Sequence, residues 1–217
     1  MRCVGDAVWK EEGVQDFFEL RPTRAARQPP TVPRPAWLGP PEDSLGVVVP
    51  LRLVLARTAD LAVAILGVTA YRSGFTFALA IRRRAAGEDD ALDAHRALHW
   101  LGRQGPPPPE VLRVGVQFAD GQRATNLDSW WDYLAPQDPR QAPPAGPVLL
   151  PHNGRGGERV WDQSYWVWPL PPAGPLSFVV QWPAQGVPLT RAGVEAVGIV
   201  QAAAQDERLW PQGPGDG

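Results

Sequence analysis

The sequence has one cysteine, Cys3, and one lysine, Lys10, among its 217 residues. A single thiol cannot form an internal disulfide, which excludes a disulfide-framed secreted domain. All other basic residues are arginines, and this bias, together with the many alanines, glycines and prolines, indicates a GC-rich source genome.

Long apolar runs are also missing. In the most apolar region, residues 47–81, the longest uncharged run is Leu61–Tyr71, about half of the roughly 20 residues that a membrane-spanning helix requires. The first 20 residues carry charges within every apolar stretch, so no signal peptide is predicted. We therefore expect a soluble, cytoplasmic protein that does not bind membranes.

No excess charge of either sign is present, because 21 basic residues stand against 23 acidic ones. This balance argues against a chain that coats nucleic acid or an anionic membrane. The run Arg82-Arg83-Arg84 is more typical of a solubilising strand end than of a phosphate site, since acidic residues follow at 88–90. No nucleic-acid partner is expected.

Proline and glycine are abundant, with 26 and 22 residues respectively. Their combined share lies just below the roughly 25–30% typical of disordered chains, and 44% apolar residues suffice for a sizeable core. Eight prolines between residues 21 and 50 predict an extended N-terminal arm over 1–44. We expect a single domain over 45–211 that contains an insertion at 85–110, followed by a disordered tail at 212–217.

Alternating apolar residues predict about seven strands between the proline-rich breaks. Turns are expected at Arg72-Ser73-Gly74 and at Asp120-Gly121, where both central residues of a tight hairpin would need positive φ. Pro50 fits a strand only at an unpaired edge or a bulge. The pattern is that of an all-β sandwich, immunoglobulin-like or jelly-roll. The predicted strands are 47–56, Leu61–Tyr71, 75–82, 112–118, 122–126, 159–168 and 176–182.

Two segments favour helix. Thr190 is a suitable N-cap for a C-terminal helix over residues 190–205. Gly193 and Gly198 weaken this helix prediction. Residues 89–101 could form a short helix inside the insertion, because acidic residues at its start suit a helix N-terminus.

Three stretches of the chain, at 69–84, 115–126 and 161–190, resemble a family of uncharacterised all-β proteins from high-GC, actinobacterial-type bacteria. The run Trp166-Val-Trp-Pro-Leu-Pro-Pro172 is the most specific part of this resemblance. The resemblance covers about 45–210 and implies an all-β domain with a C-terminal helix. It implies no activity.

The ten tryptophans are the strongest candidates for binding residues. In strand 159–168, Trp166 and Trp168 share one face, while Trp161, Tyr165 and Val167 share the other. Either this strand is covered on both faces, for example by the C-terminal helix, or one face presents aromatic rings that stack on sugars or anchor a protein partner. A second aromatic group lies in a polar, proline-flanked segment and is a candidate partner contact: Trp130, Trp131 and Tyr133.

Catalytic patterns are weak. His95 and His99 are spaced i, i+4 and could share a zinc ion with His152, but the Glu of a zincin motif is absent. No Gly-x-Ser-x-Gly turn is present. The glycine-rich run 153–157 lacks the Gly-Lys-Ser/Thr of a phosphate loop and is predicted to be a flexible hairpin loop. No catalytic residue, cofactor or metal is therefore assigned.

The sequence favours a non-enzymatic module that binds a protein partner or itself, through the arm and the segment 130–133. One alternative is a small-ligand site, such as a carbohydrate site, on the Trp166/Trp168 face. Another is a metal-dependent hydrolase using His95, His99 and His152.

Overall fold

The computed structural model describes residues 34–85, 105–128, 143–157 and 159–210. Within them, nine strands form two sheets, and the predicted all-β sandwich is confirmed. The strands are β1 (Val47–Arg57), β2 (Leu61–Tyr71), β3 (Gly74–Arg83), β4 (Arg113–Gln117), β5 (Arg123–Thr125), β6 (Val148–Gly156), β7 (Val160–Trp168), β8 (Pro175–Trp182) and β9 (Val187–Glu195). A short helix, α1 (Val197–Ala204), follows β9.

All neighbouring strands are antiparallel. The five-stranded sheet has the order β1-β2-β3-β7-β6, and the four-stranded sheet has the order β5-β4-β8-β9. The chain therefore changes sheet after β3, after β5 and after β7. Among the described residues no helix is long and apolar enough to cross a membrane.

The main core lies between the two sheets and follows from the period-2 alternation of each strand. Phe77 of β3 meets Phe178 of β8 edge-on, with ring centroids 5.1 Å apart. The predicted inward faces are confirmed as buried: Phe75, Phe77, Leu79 and Ile81 on β3, Val114 and Val116 on β4, and Leu176, Phe178, Val180 and Trp182 on β8.

The turn chemistry is confirmed in one place and corrected in another. Pro50 lies at a register shift of the edge strand β1, as its missing N–H requires. A hairpin joins β4 to β5 at Asp120-Gly121, but only Gly121 has positive φ, at 87°. The Asp120 carboxylate instead accepts a hydrogen bond from the backbone N–H of Gln122 at 3.0 Å.

Two strands were not predicted. Residues 187–195 form β9 rather than the first turns of the C-terminal helix, and Thr190 pairs with Val180 instead of capping that helix. The helix begins only at Val197. Residues 153–156 of the predicted flexible loop belong to β6 and pair with β7. In both cases a neighbouring strand supplies backbone partners that outweigh the local glycine content.

The sandwich begins before the predicted boundary at residue 45. Residues Ala36–Leu38 form a 3-10 turn whose Trp37 is buried on the five-stranded sheet. The turn at Ala36–Leu38 therefore packs on the sandwich. The rest of the predicted arm, most of the insertion and the predicted tail lie outside the described residues.

The buried carboxylate of Asp206 connects segments near both ends of the described chain. We call Asp206 and its two partners, Ser44 and Arg72, the C-terminal latch. Asp206 follows α1 and accepts hydrogen bonds from the Ser44 hydroxyl and from the Arg72 backbone N–H, the latter at 3.2 Å. The Arg72 Nε donates to the Asp206 carbonyl oxygen at 2.8 Å. The latch connects the segment before β1 with the β2–β3 turn and the end of the helix.

Candidate functional site

Trp166, a predicted ligand contact, has no exposed surface. It lies on the outer face of the five-stranded sheet in a second, smaller core, and we call this group the tryptophan cluster. The Tyr71 ring meets Trp166 edge-on, with centroids 5.7 Å apart. The members of the cluster are Trp37, Leu38, Tyr71, Val148, Leu150, Trp166 and Trp168.

Strand β7 is thus covered on both faces, which is the first of the two predicted alternatives. The cover is the turn that carries Trp37, whereas α1 packs against β1 and β2. Gly74 leaves room for the indole, because a Cβ there would lie 2.8 Å from the Trp166 ring. Trp166 therefore offers no surface to a sugar or a partner, and Trp168 is only partly buried at the edge of the cluster.

The other predicted site residues fall mostly outside the described chain. Trp130, Trp131 and Tyr133 lie there, as do His95 and His99. His152 is on β6, and partial desolvation and then the positive charge of Arg34 lower its pKa. In the described ranges no group of three or more His, Cys, Asp or Glu side chains could hold a metal ion.

The outer face of the four-stranded sheet carries a groove that the sequence patterns did not reveal. Gly115 of β4 lies at its floor, between Thr125 of β5 and Val179 of β8 in the register of the sheet. Because Gly115 has no side chain, a cavity of about 270 Å³ opens above it. We call it the arginine groove, lined among others by Arg113, Gly115, Arg123, Val179, Leu189 and Arg191.

The arginine groove is positively charged. Its lining includes three arginines and no carboxylate. Arg113 donates to two neutral acceptors, the Gln181 side-chain oxygen at 2.8 Å and the Pro107 carbonyl oxygen at 3.0 Å. Arg191 donates to the side-chain oxygen of Gln117. Neutral acceptors hold the guanidinium groups in place without cancelling their charge.

The outer face of the five-stranded sheet has the opposite character. Outside the tryptophan cluster most of its side chains are small or apolar, and we call this surface the small-residue face. Its charged side chains include Arg52 on the edge strand β1, which is paired with Leu66. Val48 is 71% exposed and Leu66 is 44% exposed. A depression of about 180 Å³ lies beside them, with Thr76, Ala78 and Ser164 in its lining. The surface is defined by Val48, Val54, Ala62, Ala64, Leu66 and Ala78.

A β-bulge shapes the small-residue face. The register of β2 against β3 shifts between Ile65 and Val68, and Gly67 within the bulge has φ of 93°. This conformation favours glycine. The bulge raises Leu66 next to the depression. An ion pair between Arg82 and Asp162, at 2.7 Å, lies further along β3 and β7.

Tyr165 places a polar group inside the main core. Its ring stacks on Phe77 at 5.4 Å, and its hydroxyl is buried with no protein hydrogen-bond partner. Burial raises the pKa of this phenol far above its ordinary value. The hydroxyl thus contributes a desolvation cost without a compensating bond.

We expect Tyr165→Phe to stabilise the protein by about 1 kcal/mol at neutral pH, because it removes that cost. Since folding raises this pKa, wild-type stability should be fully present below about pH 10 and fall by about 1.4 kcal/mol per pH unit above it from this group. Urea unfolding of both proteins at neutral and alkaline pH tests this. Between the two pH values, the free energy of unfolding should fall less in the variant than in wild type.

Tyr71→Phe is the matched control, because the Tyr71 hydroxyl interacts with Thr76. This control should be neutral or slightly destabilising at neutral pH. If Tyr165→Phe is destabilising as well, the Tyr165 hydroxyl has a hydrogen-bond partner and its burial is not an uncompensated cost.

The fold defines a class, the antiparallel two-sheet β-sandwich with a short C-terminal helix. No family model matches the chain, and no curated protein or solved structure shows significant similarity to it. The resemblance to an actinobacterial-type family stays a prediction.

Proposed function

We propose that this chain is a non-enzymatic, cytoplasmic protein-interaction module that binds a second copy of itself through the small-residue face. The observation that supports it is the exposure of Val48 and Leu66 beside a shallow depression. Contiguous exposed apolar surface is uncommon on monomeric proteins and is typical of interaction sites.

A second copy is the favoured partner because this surface can complement itself. In a two-fold contact, a residue on one subunit meets a different residue on the other, and the reverse contact follows by symmetry. Val48 or Leu66 of one copy could enter the depression over Ala78 of the other. The arginine groove could not meet its own copy in this way, because like charges would face each other.

The other predicted functions receive less support. A carbohydrate site on the Trp166/Trp168 face would lack its main ring, because Trp166 is buried. A hydrolase would depend on His95 and His99, which lie outside the described residues. The partner contacts predicted at Trp130, Trp131 and Tyr133 lie outside the described residues and stay a prediction.

The test is the oligomeric state of the full chain by native mass spectrometry and light scattering. We expect a wild-type species of twice the 23.6 kDa chain mass. Leu66→Arg should convert it to monomer, because two buried arginines would then face each other without a counter-charge. Leu189→Arg is the matched control, since Leu189 is an exposed leucine on the other sheet.

A wild-type protein that stays monomeric at high concentration would overturn the proposal. So would a dimer that survives Leu66→Arg but dissociates in Leu189→Arg, since the four-stranded sheet would then form the interface. If wild type is monomeric and Leu66→Arg lowers the melting temperature, the chain covers this face itself and the proposed self-association is wrong.

A further inference from the structure

The arginine groove concentrates positive charge on a protein that has none in excess. The chain as a whole has a formal net charge of −2. The groove nevertheless places Arg113, Arg123 and Arg191 around one floor with no carboxylate in its lining. Within the described part of the chain, none of the three forms an ion pair. Such a cluster of uncompensated charge is suited to an anion.

The floor of the groove is apolar and its depth depends on one glycine. Gly115 and Val179 are paired in the sheet and form the floor, and Leu127 and Leu189 stand at the sides. The cavity of about 270 Å³ is close to the lower limit of about 300 Å³ for small-molecule pockets. A bare inorganic ion would leave this apolar surface in contact with water.

Two of the three guanidinium groups, those of Arg113 and Arg191, are oriented before any ligand arrives. Arg113 is partly buried, its two terminal nitrogens donate to Gln181 and Pro107, and its buried Nε has no protein partner. Arg191 is held by Gln117. Because side chains that are already ordered lose little entropy on binding, such groups favour affinity. The planar guanidinium of arginine can also donate two hydrogen bonds at once to the oxygens of a carboxylate or a phosphate.

We infer that the arginine groove binds a small organic anion, with a carboxylate or phosphate head on the arginines and a short apolar body over Gly115 and Val179. The site is independent of the proposed self-association, because it lies on the other sheet of the sandwich.

Isothermal titration calorimetry of the full chain tests this site with four probes: benzoate, phenyl phosphate, inorganic phosphate and the neutral benzyl alcohol. We expect saturable one-to-one binding of benzoate or phenyl phosphate, and much weaker binding of inorganic phosphate and benzyl alcohol. Whichever aromatic anion binds more tightly identifies the head group.

Arg191→Gln and Arg123→Gln should each weaken binding of the better aromatic anion about tenfold, through loss of one charge-assisted contact. Arg84→Gln is the matched control, because it removes the same charge from an exposed position just after β3, outside both proposed surfaces. Val179→Phe should abolish binding by filling the groove, while thermal melting shows that the fold is retained.

Three results would overturn the inference. The first is equal binding of inorganic phosphate and the aromatic anions, which would indicate charge alone. The second is equal binding of benzyl alcohol, which would exclude a role for the arginines. The third is an affinity that falls as much in Arg84→Gln as in Arg191→Gln, since the site would then not be the groove.

Discussion

Replacing Trp166 by alanine should reduce the free energy of unfolding by about 3–5 kcal/mol, the range for a buried tryptophan that leaves a cavity. The indole is fully buried between Trp37 and the outer face of the five-stranded sheet. Tyr71 contacts the same ring, and Gly74 beside it has no side chain that could fill the space. Urea denaturation followed by circular dichroism measures the effect.

Trp210→Ala is the control, because this tryptophan is 63% exposed and should change stability by no more than about 0.5 kcal/mol. A Trp166→Ala variant that stays nearly as stable as wild type would contradict the tryptophan cluster. The hypothesis of an exposed aromatic face for a ligand would then return.

Replacing Asp206 by alanine should cost about 3 kcal/mol, because hydrogen bonds to a buried charged group contribute about 1.5–3 kcal/mol each. The substitution leaves the Ser44 hydroxyl and the Arg72 N–H without their acceptor. The segment before β1 and the end of α1 should then separate from the β2–β3 turn. Hydrogen exchange at Arg72 and in α1 reports this local loss, alongside the global stability.

Asp43→Ala supplies the comparison within the same region. Asp43 forms an exposed ion pair with Arg208 at 3.5 Å, and such pairs contribute about 0–1 kcal/mol. Equal effects of the two substitutions would mean that the C-terminal latch has no special role.

The strands that could be predicted are those in which apolar and other residues alternate, because this alternation identifies the buried face. Phe75, Phe77, Leu79 and Ile81 stand at every second position, and a half-buried strand needs only this pattern to select its inner face. Pro50 and Gly121 were also predictable, because a missing N–H and a positive φ are local properties.

The strands β6 and β9 could not be predicted in the same way. Residues 153–156 and 187–195 contain glycine, proline or polar residues that favour loop or helix when considered alone. They become strands because β7 and β8 offer unpaired backbone groups at the edges of the sheets. A partner strand elsewhere in the chain decides their structure.

The two candidate sites also depend on distant residues. Arg113, Arg123 and Arg191 come from three different strands, and only their register around Gly115 brings them to one groove. A single arginine at a strand position carries no signal of this kind, because solvated arginines are common on strand faces.

The amino-acid pattern alone specifies the class of fold, the inward face of most strands, and the lack of a disulfide framework. These follow from composition and from a period of two, which every strand expresses locally. Strand order and register place Trp37 over Trp166, bring Asp206 between Ser44 and Arg72, and gather three arginines around one groove. Contacts between residues far apart in the chain depend on strand order and register, which local patterns do not specify.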